Sequence, residues 1–177
     1  MINAVRFEVI DDFLEEEYFK DLQGMFMGPG VPWQYNSDIE NVDDDSESDN
    51  FFYMTHAIYD NCTSDGKLLV QHYTCENLMP LVRKLNSVAL IRIKANLFPN
   101  QGEVIEHRKH VDYEFQHQGA ILSLNTNDGY TLLEDGTKVG SIANRILLFD
   151  ASRPHCSTTT SNTKVRVNIN LNYYGVK

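Results

Sequence analysis

Basic side chains are scarce in this chain: 15 Lys and Arg stand against 25 Asp and Glu, giving a formal net charge of −10. Binding along a nucleic-acid backbone needs clustered cations, so that balance argues against it and leaves a peptide or small molecule as partner. Cysteine is scarcer still. Cys62, Cys75 and Cys156 cannot all pair, and none stands in a C-x-x-C spacing. No disulfide framework is therefore expected, and the thiols read as reduced, as in a cytoplasmic protein. No apolar run approaches the ~20 residues of a membrane span. Residues 1–12 lack the basic stretch and apolar run of a secretory signal, so the sequon Asn61-Cys62-Thr63 is expected to be inert. Internal repeats and low-complexity tracts are also missing. What remains, 42% hydrophobic and 23% charged residues over 177 positions, suits one domain with a real core. Nothing in it fixes an oligomeric state.

The order of patterns along the chain is uneven. Residues 1–12 read as a strand leading into an amphipathic helix at about Leu14–Met27, capped by Asp11 or Asp12 and stopped by Gly28-Pro29-Gly30. The run Asp43-Asp44-Asp45-Ser46-Glu47-Ser48-Asp49 lacks the glycine and closing glutamate of a calcium loop, and reads as a solvated loop. A strand at Phe51–Tyr59 precedes a helical stretch at about Lys67–Leu85, broken near Pro80. From Val88 onward the texture changes to short alternating runs at 88–98, 103–111, 119–125, 129–134, 137–142, 145–150, 155–160 and 164–174. Asn127-Asp128-Gly129 and Asp135-Gly136 supply turn chemistry between them. The pattern predicts a mainly β fold, a double-sheet jelly roll over about 88–175, with N-terminal helices packed on one sheet and a helical and strand buttress over about 1–87.

Within that frame, His110-Val111-Asp112 places an imidazole and a carboxylate on one face of a predicted strand. His155 begins a later strand. Two histidines and one carboxylate can occupy one face of a metal and leave its other positions open, the facial triad of non-heme Fe(II) oxygenases. His107 is the competing ligand, but in a regular strand it faces away from Asp112. His117 reads as solvent-facing in the turn Gln116-His117-Gln118, and His56 and His72 as structural. Cys156 points away from His155 in an extended segment. In 164–172 the apolar residues share one face, while Arg166, Asn168, Asn170 and Asn172 share the other. That second face suits a polar pocket or an exposed sheet surface equally.

In this order the motifs resemble the 2-oxoglutarate and Fe(II)-dependent dioxygenases, specifically the small prolyl-4-hydroxylase-like group of microbes and phages. The resemblance spans roughly residues 88–175. It rests on Arg92-Ile93-Lys94-Ala95-Asn96-Leu97-Phe98-Pro99, His110-Val111-Asp112, Leu124-Asn125-Thr126-Asn127-Asp128-Gly129-Tyr130, Glu134-Asp135-Gly136-Thr137, Asn144-Arg145-Ile146-Leu147-Leu148-Phe149-Asp150 and the interval from His155 to Arg166. It implies a double-stranded β-helix (cupin-like jelly roll) with iron held by His110, Asp112 and His155, with 2-oxoglutarate and O2 as co-substrates and ascorbate as a reductant. It also implies hydroxylation coupled to conversion of 2-oxoglutarate into succinate and carbon dioxide. Arg166 matches the position whose cation holds the far carboxylate of 2-oxoglutarate, a group too costly to bury unpaired; Lys164 is the second choice. Relatives often carry a tyrosine where Phe98 stands, so Asn96, Ser123 or Asn168 is expected to supply that contact to the co-substrate, unless Phe98 merely packs in the core.

The resemblance further implies prolyl hydroxylation of a peptide or protein, or hydroxylation of a free amino acid or another small metabolite. Substrate selection is expected in Trp33–Phe51 and Glu114–Gly119, loops around the barrel mouth. A cupin-type metal enzyme working without 2-oxoglutarate, or a non-catalytic jelly-roll binding module, would need no cation at 166.

Overall fold

The cleanest alternation in the sequence becomes the centre of the fold. In the computed structural model, which describes residues 7–37, 52–61 and 70–175, the strand Val165–Gly175 runs antiparallel between Ser87–Pro99 and Gln118–Ser123. In chain order the strands are β1 (Glu8–Ile10), β2 (Gln34–Asn36), β3 (Tyr53–Asp60), β4 (Val70–Gln71), β5 (Ser87–Pro99), β6 (Gln118–Ser123), β7 (Tyr130–Leu132), β8 (Lys138–Gly140), β9 (Ile146–Asp150), β10 (Cys156–Ser157) and β11 (Val165–Gly175). Eight form one sheet in the order β1-β9-β6-β11-β5-β3-β2, with β4 beside β3; the other three form a small sheet, β10-β7-β8. The result is the mainly β jelly roll that the strand pattern predicts, in the double-stranded β-helix form that the resemblance implies. The N-terminal strands join the large sheet instead of standing apart from it.

Two helices, α1 (Glu16–Phe26) and α2 (Met79–Lys84), cover the outer face of that sheet. Phe19, Leu22 and Phe26 fall on one side of α1, three and four residues apart, and meet Leu81 of α2 and Ile93, Leu122, Ile169 and Leu171 of the sheet. Each such side chain removed from water contributes about 1.5–3 kcal/mol, which is what holds an 11-residue helix that would be marginal alone. Gly28 ends α1, because a Cβ there would stand 2.4 Å from the Gly24 carbonyl oxygen. Between the sheets lies a second apolar layer of Ile121, Leu133, Val139, Leu147 and Phe149.

Several local expectations are corrected. The cap of α1 is Glu15, without a side-chain hydrogen bond; Asp11 instead pairs with Arg145 at 2.5 Å. The helix expected over 67–85 is β4, a 3-10 turn at Tyr73–Leu78 and then α2. Pro80 begins α2 rather than breaking it, since its missing N–H needs no partner in a first turn. The strand expected at 103–111 is only two isolated bridges, Glu106 with Thr158 and His110 with His155. The acidic run 43–49, Cys62 and most of the loop 33–51 lie outside the described residues. No helix among the described residues is long and apolar enough to cross a membrane.

Candidate active site

The amide-rich side of β11 is an interior wall, not an exposed sheet surface. Arg166, Asn168, Asn170 and Asn172 are all buried. The register sets them opposite Phe98, Asn96, Lys94 and Arg92 of β5. Period-two alternation in both strands therefore builds one polar strip four pairs long. It floors a cleft between the two sheets, walled by Ile121, Thr131 and Ser157 and reaching His110, Asp112 and His155.

His110, Asp112 and His155 converge. One ligand-type atom from each lies within 4.8 Å of the others. Nε2 of His110 is 4.0 Å from Oδ1 of Asp112, and Nε2 of His155 is 3.9 Å from Oδ2. The two histidine backbones exchange hydrogen bonds in both directions at 2.9 Å, and Asp112 N donates to the Ala151 carbonyl. The segment is held to the chain before β10 by these bonds, not by a regular strand. Its bonded positions run 107, 110, 112. The three-residue step breaks the alternation, so His107 turns inward as well, contrary to the strand argument. It is buried against Phe98, with ring centroids 5.3 Å apart.

The carboxylate and one imidazole are pre-set for a cation. Burial alone would raise the Asp112 carboxyl, but Arg92, then His155, then a hydrogen bond from Asn172 hold it far below the usual carboxylate range. Arg92 Nη2 donates to Oδ1 at 2.6 Å and Asn172 Nδ2 to Oδ2 at 2.8 Å. His155 Nδ1 lies 2.9 Å from the Arg153 carbonyl, which fixes the proton there and leaves Nε2 as a lone pair facing the cleft. Burial lowers the His155 pKa, so the ring is neutral near pH 7. His117 is not solvent-facing: it is buried, with Nε2 3.2 Å from Asn172 Nδ2, and so backs the group that holds Asp112.

Behind Phe98 and Thr131 of the cleft lining stands Arg166, 1% exposed. Its Nε donates to Ser141 Oγ at 2.8 Å, while its two terminal nitrogens make only 3.3 Å contacts with the Thr158 carbonyl and Thr131 Oγ1. Among the described residues no carboxylate pairs with it. Burial lowers its pKa to about 10, which still leaves it charged. Phe98 lies under the guanidinium at 5.4 Å and stacks on Tyr53 at 5.5 Å. Gly129 packs against the stem of Arg166, where a Cβ would stand 2.7 Å from Cδ. Lys164 is exposed and takes no part.

Asn96 and Asn168 line the cleft but bond to each other, Nδ2 to Oδ1 at 2.9 Å. Ser123 is buried opposite Asn168. Cys156 lies along the cleft wall and is not one of the three convergent residues. His56 and His72 pack edge to face 4.4 Å apart, beside Thr74.

Sequence reasoning missed Arg92, Lys94, Tyr53 and His117. Lys94 lines the cleft, its ammonium 5.8 Å over the Tyr53 ring; burial and then repulsion from Arg92 bring its pKa down to about 8. The alternation of Arg92, Lys94, Asn96 and Phe98 carried the signal, because β5 shares its inward face with β11.

Fold and site together define a double-stranded β-helix with a His-Asp-His cluster at the mouth and a buried arginine at the base. Comparison with solved structures finds the same fold in several proteins. A 2OG-Fe(II) oxygenase family oxidoreductase from Burkholderia pseudomallei aligns with a TM-score of 0.69 at 10% identity, covering 95% of this chain and 85% of that one. A Pseudomonas putida prolyl-4-hydroxylase aligns at 0.60 and 15% identity, over 98% and 94%. A prolyl hydroxylase from Trichoplax adhaerens, in complex with a hypoxia inducible factor peptide fragment, aligns at 0.60 and 15%, over 98% and 85%. At these identities the likeness is one of fold. No protein-family model matches the chain, and no curated protein matches it in sequence.

Proposed function

We propose that this protein is a non-heme Fe(II), 2-oxoglutarate-dependent dioxygenase that hydroxylates a C–H bond of its substrate. The observation that carries the reading is the pairing of two features, one in the cleft and one directly behind its wall at Phe98 and Thr131. His110, Asp112 and His155 offer a facial donor set, and a buried guanidinium with no carboxylate partner among the described residues waits behind that wall. The donor set fits ferrous iron, since two imidazoles and one carboxylate leave half of an octahedron open. The guanidinium fits a dicarboxylic acid, because its fork matches a carboxylate and its burial otherwise goes uncompensated.

When bound, iron and 2-oxoglutarate supply the activation of O2 and the removal of a substrate hydrogen. The chain does the rest. His110, Asp112 and His155 hold the metal. Arg92 and Asn172 fix the Asp112 rotamer, and the Arg153 carbonyl keeps the His155 proton on Nδ1. Arg166 anchors the far carboxylate at a depth set by Gly129 and Phe98.

The favoured substrate is a prolyl residue of a peptide or protein, a reading supported by the prolyl hydroxylases among the structural relatives. Hydroxylation of a free amino acid or another small metabolite is the second reading, and the Lys94 side chain lining the same cleft would favour one that carries a carboxylate. The net charge of −10 supports a protein that does not bind nucleic acid, and three cysteines without a C-x-x-C spacing support a cytoplasmic setting. The test is succinate formation under air with Fe(II), ascorbate and 2-oxoglutarate, with proline-containing peptides and free amino acids screened for a gain of one oxygen. Succinate that appears without added 2-oxoglutarate, or never appears, would sink the proposal. Oxygen added to something other than proline would correct the substrate alone.

A further inference from the structure

Phe98 has no hydroxyl, and the amides nearest to it, Asn96 and Asn168, spend a hydrogen bond on each other. The 2-oxoglutarate end of the cleft thus looks short of a donor. One buried polar atom beside Phe98 is unspent: Nε2 of His107 has no hydrogen-bond partner, although the residue is only 9% exposed. We propose that His107 Nε2 is a co-substrate-binding donor, directed at the carboxylate that Arg166 anchors. The inference rests on the reading of this cleft as a 2-oxoglutarate site.

Three observations carry it. The ring cannot swing away: His107 N donates to the Ser157 carbonyl at 3.0 Å, and Nδ1 lies 2.8 Å from Ser157 Oγ. With the serine hydroxyl donating to Nδ1, the imidazole proton sits on Nε2 and makes that nitrogen a donor. Position is the second observation. His107 and the Arg166 guanidinium approach the same Phe98 ring, at 5.3 and 5.4 Å, so two donors flank one aromatic face. Third, both groups are left incomplete. The terminal nitrogens of Arg166 have only 3.3 Å contacts, and Nε2 has none. A buried donor without an acceptor is uncommon enough to require a cause, and an anionic ligand would complete both at once. The alternative, a fourth metal ligand, does not fit, because His107 lies outside the group of three whose ligand atoms converge.

The test uses the whole protein loaded with Mn(II), which occupies the site without turning over. Calorimetric titration with 2-oxoglutarate is compared for the wild type, His107→Phe and His107→Gln, with Mn(II) affinity measured separately. A lost hydrogen bond to a charged group predicts roughly tenfold to hundredfold weaker 2-oxoglutarate binding for His107→Phe. Mn(II) affinity should stay within about twofold, and His107→Gln, which keeps a donor, should recover most of the loss. Unchanged 2-oxoglutarate affinity in His107→Phe overturns the inference. So does a parallel loss of Mn(II) affinity, or a His107→Gln variant as weak as His107→Phe when both melt with the wild type. If the wild type itself takes up Mn(II) but not 2-oxoglutarate, the proposed function has failed, a result separable from failure of His107 alone.

Discussion

Arg92 Nη2 sits 2.6 Å from Oδ1 of Asp112, so the carboxylate assigned to the metal is already oriented by a guanidinium from β5. Arg92 is held in turn by Asn172 Oδ1 at 3.1 Å. Removing such a support usually costs 10–100-fold in metal affinity. Arg92→Met is therefore expected to weaken Mn(II) or Co(II) binding by about tenfold or more, while Arg92→Lys recovers part of it. Metal titrations that give the same affinity for Arg92→Met and wild type would remove the supporting role.

The polar strip was readable where alternation is strict. Val165 to Asn172 alternates without a fault, and Arg166, Asn168, Asn170 and Asn172 are found on one buried wall. His110, Asp112 and His155 were legible from their residue types and order. What the sequence could not reveal depends on non-local register. Nothing near Arg92 states that β11 will bring Asn172 opposite it, or that Asp112 will close the ion pair. Residues 103–111 mislead for a different reason: they alternate like a strand, yet their hydrogen bonds go to Ser157, His155 and the Thr159 hydroxyl with an extra residue between. That extra residue is what turns His107 inward. His117 was misjudged because its glutamine neighbours suggested a wet turn, while tertiary packing against Asn172 buries it.

Lys94 gives a stability prediction opposite in sign to its expected functional effect. Its folded pKa, about 8, lies below the ordinary lysine value of 10.5. The unfolded chain therefore binds more protons between those limits, and stability rises with pH across that window. Below pH 8 the buried charge is a burden. Lys94→Met should stabilise the metal-free protein at pH 7 by about 1–2 kcal/mol, and the gain should shrink as pH approaches 10. Turnover should fall. Urea unfolding at pH 7 and pH 10 checks the first part; a variant no more stable than wild type at pH 7 would show that the ammonium is well solvated.

His107 titrates in the acid range. Burial, followed by Arg166 and His110, brings its pKa from the ordinary 6.5 down to about 4. The unfolded state again binds the extra proton, so this contribution is complete above pH 6.5 and is lost as pH falls through 4. Its size is roughly 2–3 kcal/mol. In metal-free protein, His107→Phe should flatten the stability profile between pH 4 and 6.5 relative to wild type. Parallel profiles from chemical denaturation would place the wild-type ring in water.

Gly129 tests how tightly the base of the cleft is fitted. An added methyl would stand 2.6 Å from the Thr159 carbonyl oxygen and 2.7 Å from Arg166 Cδ. Backbone cannot yield easily, so the arginine must. Gly129→Ala is expected to cost about 1–3 kcal/mol of stability and to weaken 2-oxoglutarate binding by about tenfold, with Mn(II) affinity retained. A calorimetric titration indistinguishable from wild type would show that Arg166 has room to move.

The placement of β11 also dictates how the chain must fold. It lies between β5 and β6, and its partners in β5 are 66 to 88 positions earlier, from Val165 with Pro99 to Gly175 with Ser87. Until residues 165–175 leave the ribosome, both neighbouring strands present open edges that invite pairing with other chains. Closure by such distant contacts is slow, on the order of milliseconds to seconds. A nascent chain stalled before residue 165 is thus a candidate for chaperone capture, with its polar strip half built and its outer apolar face still lacking Val167, Ile169 and Leu171.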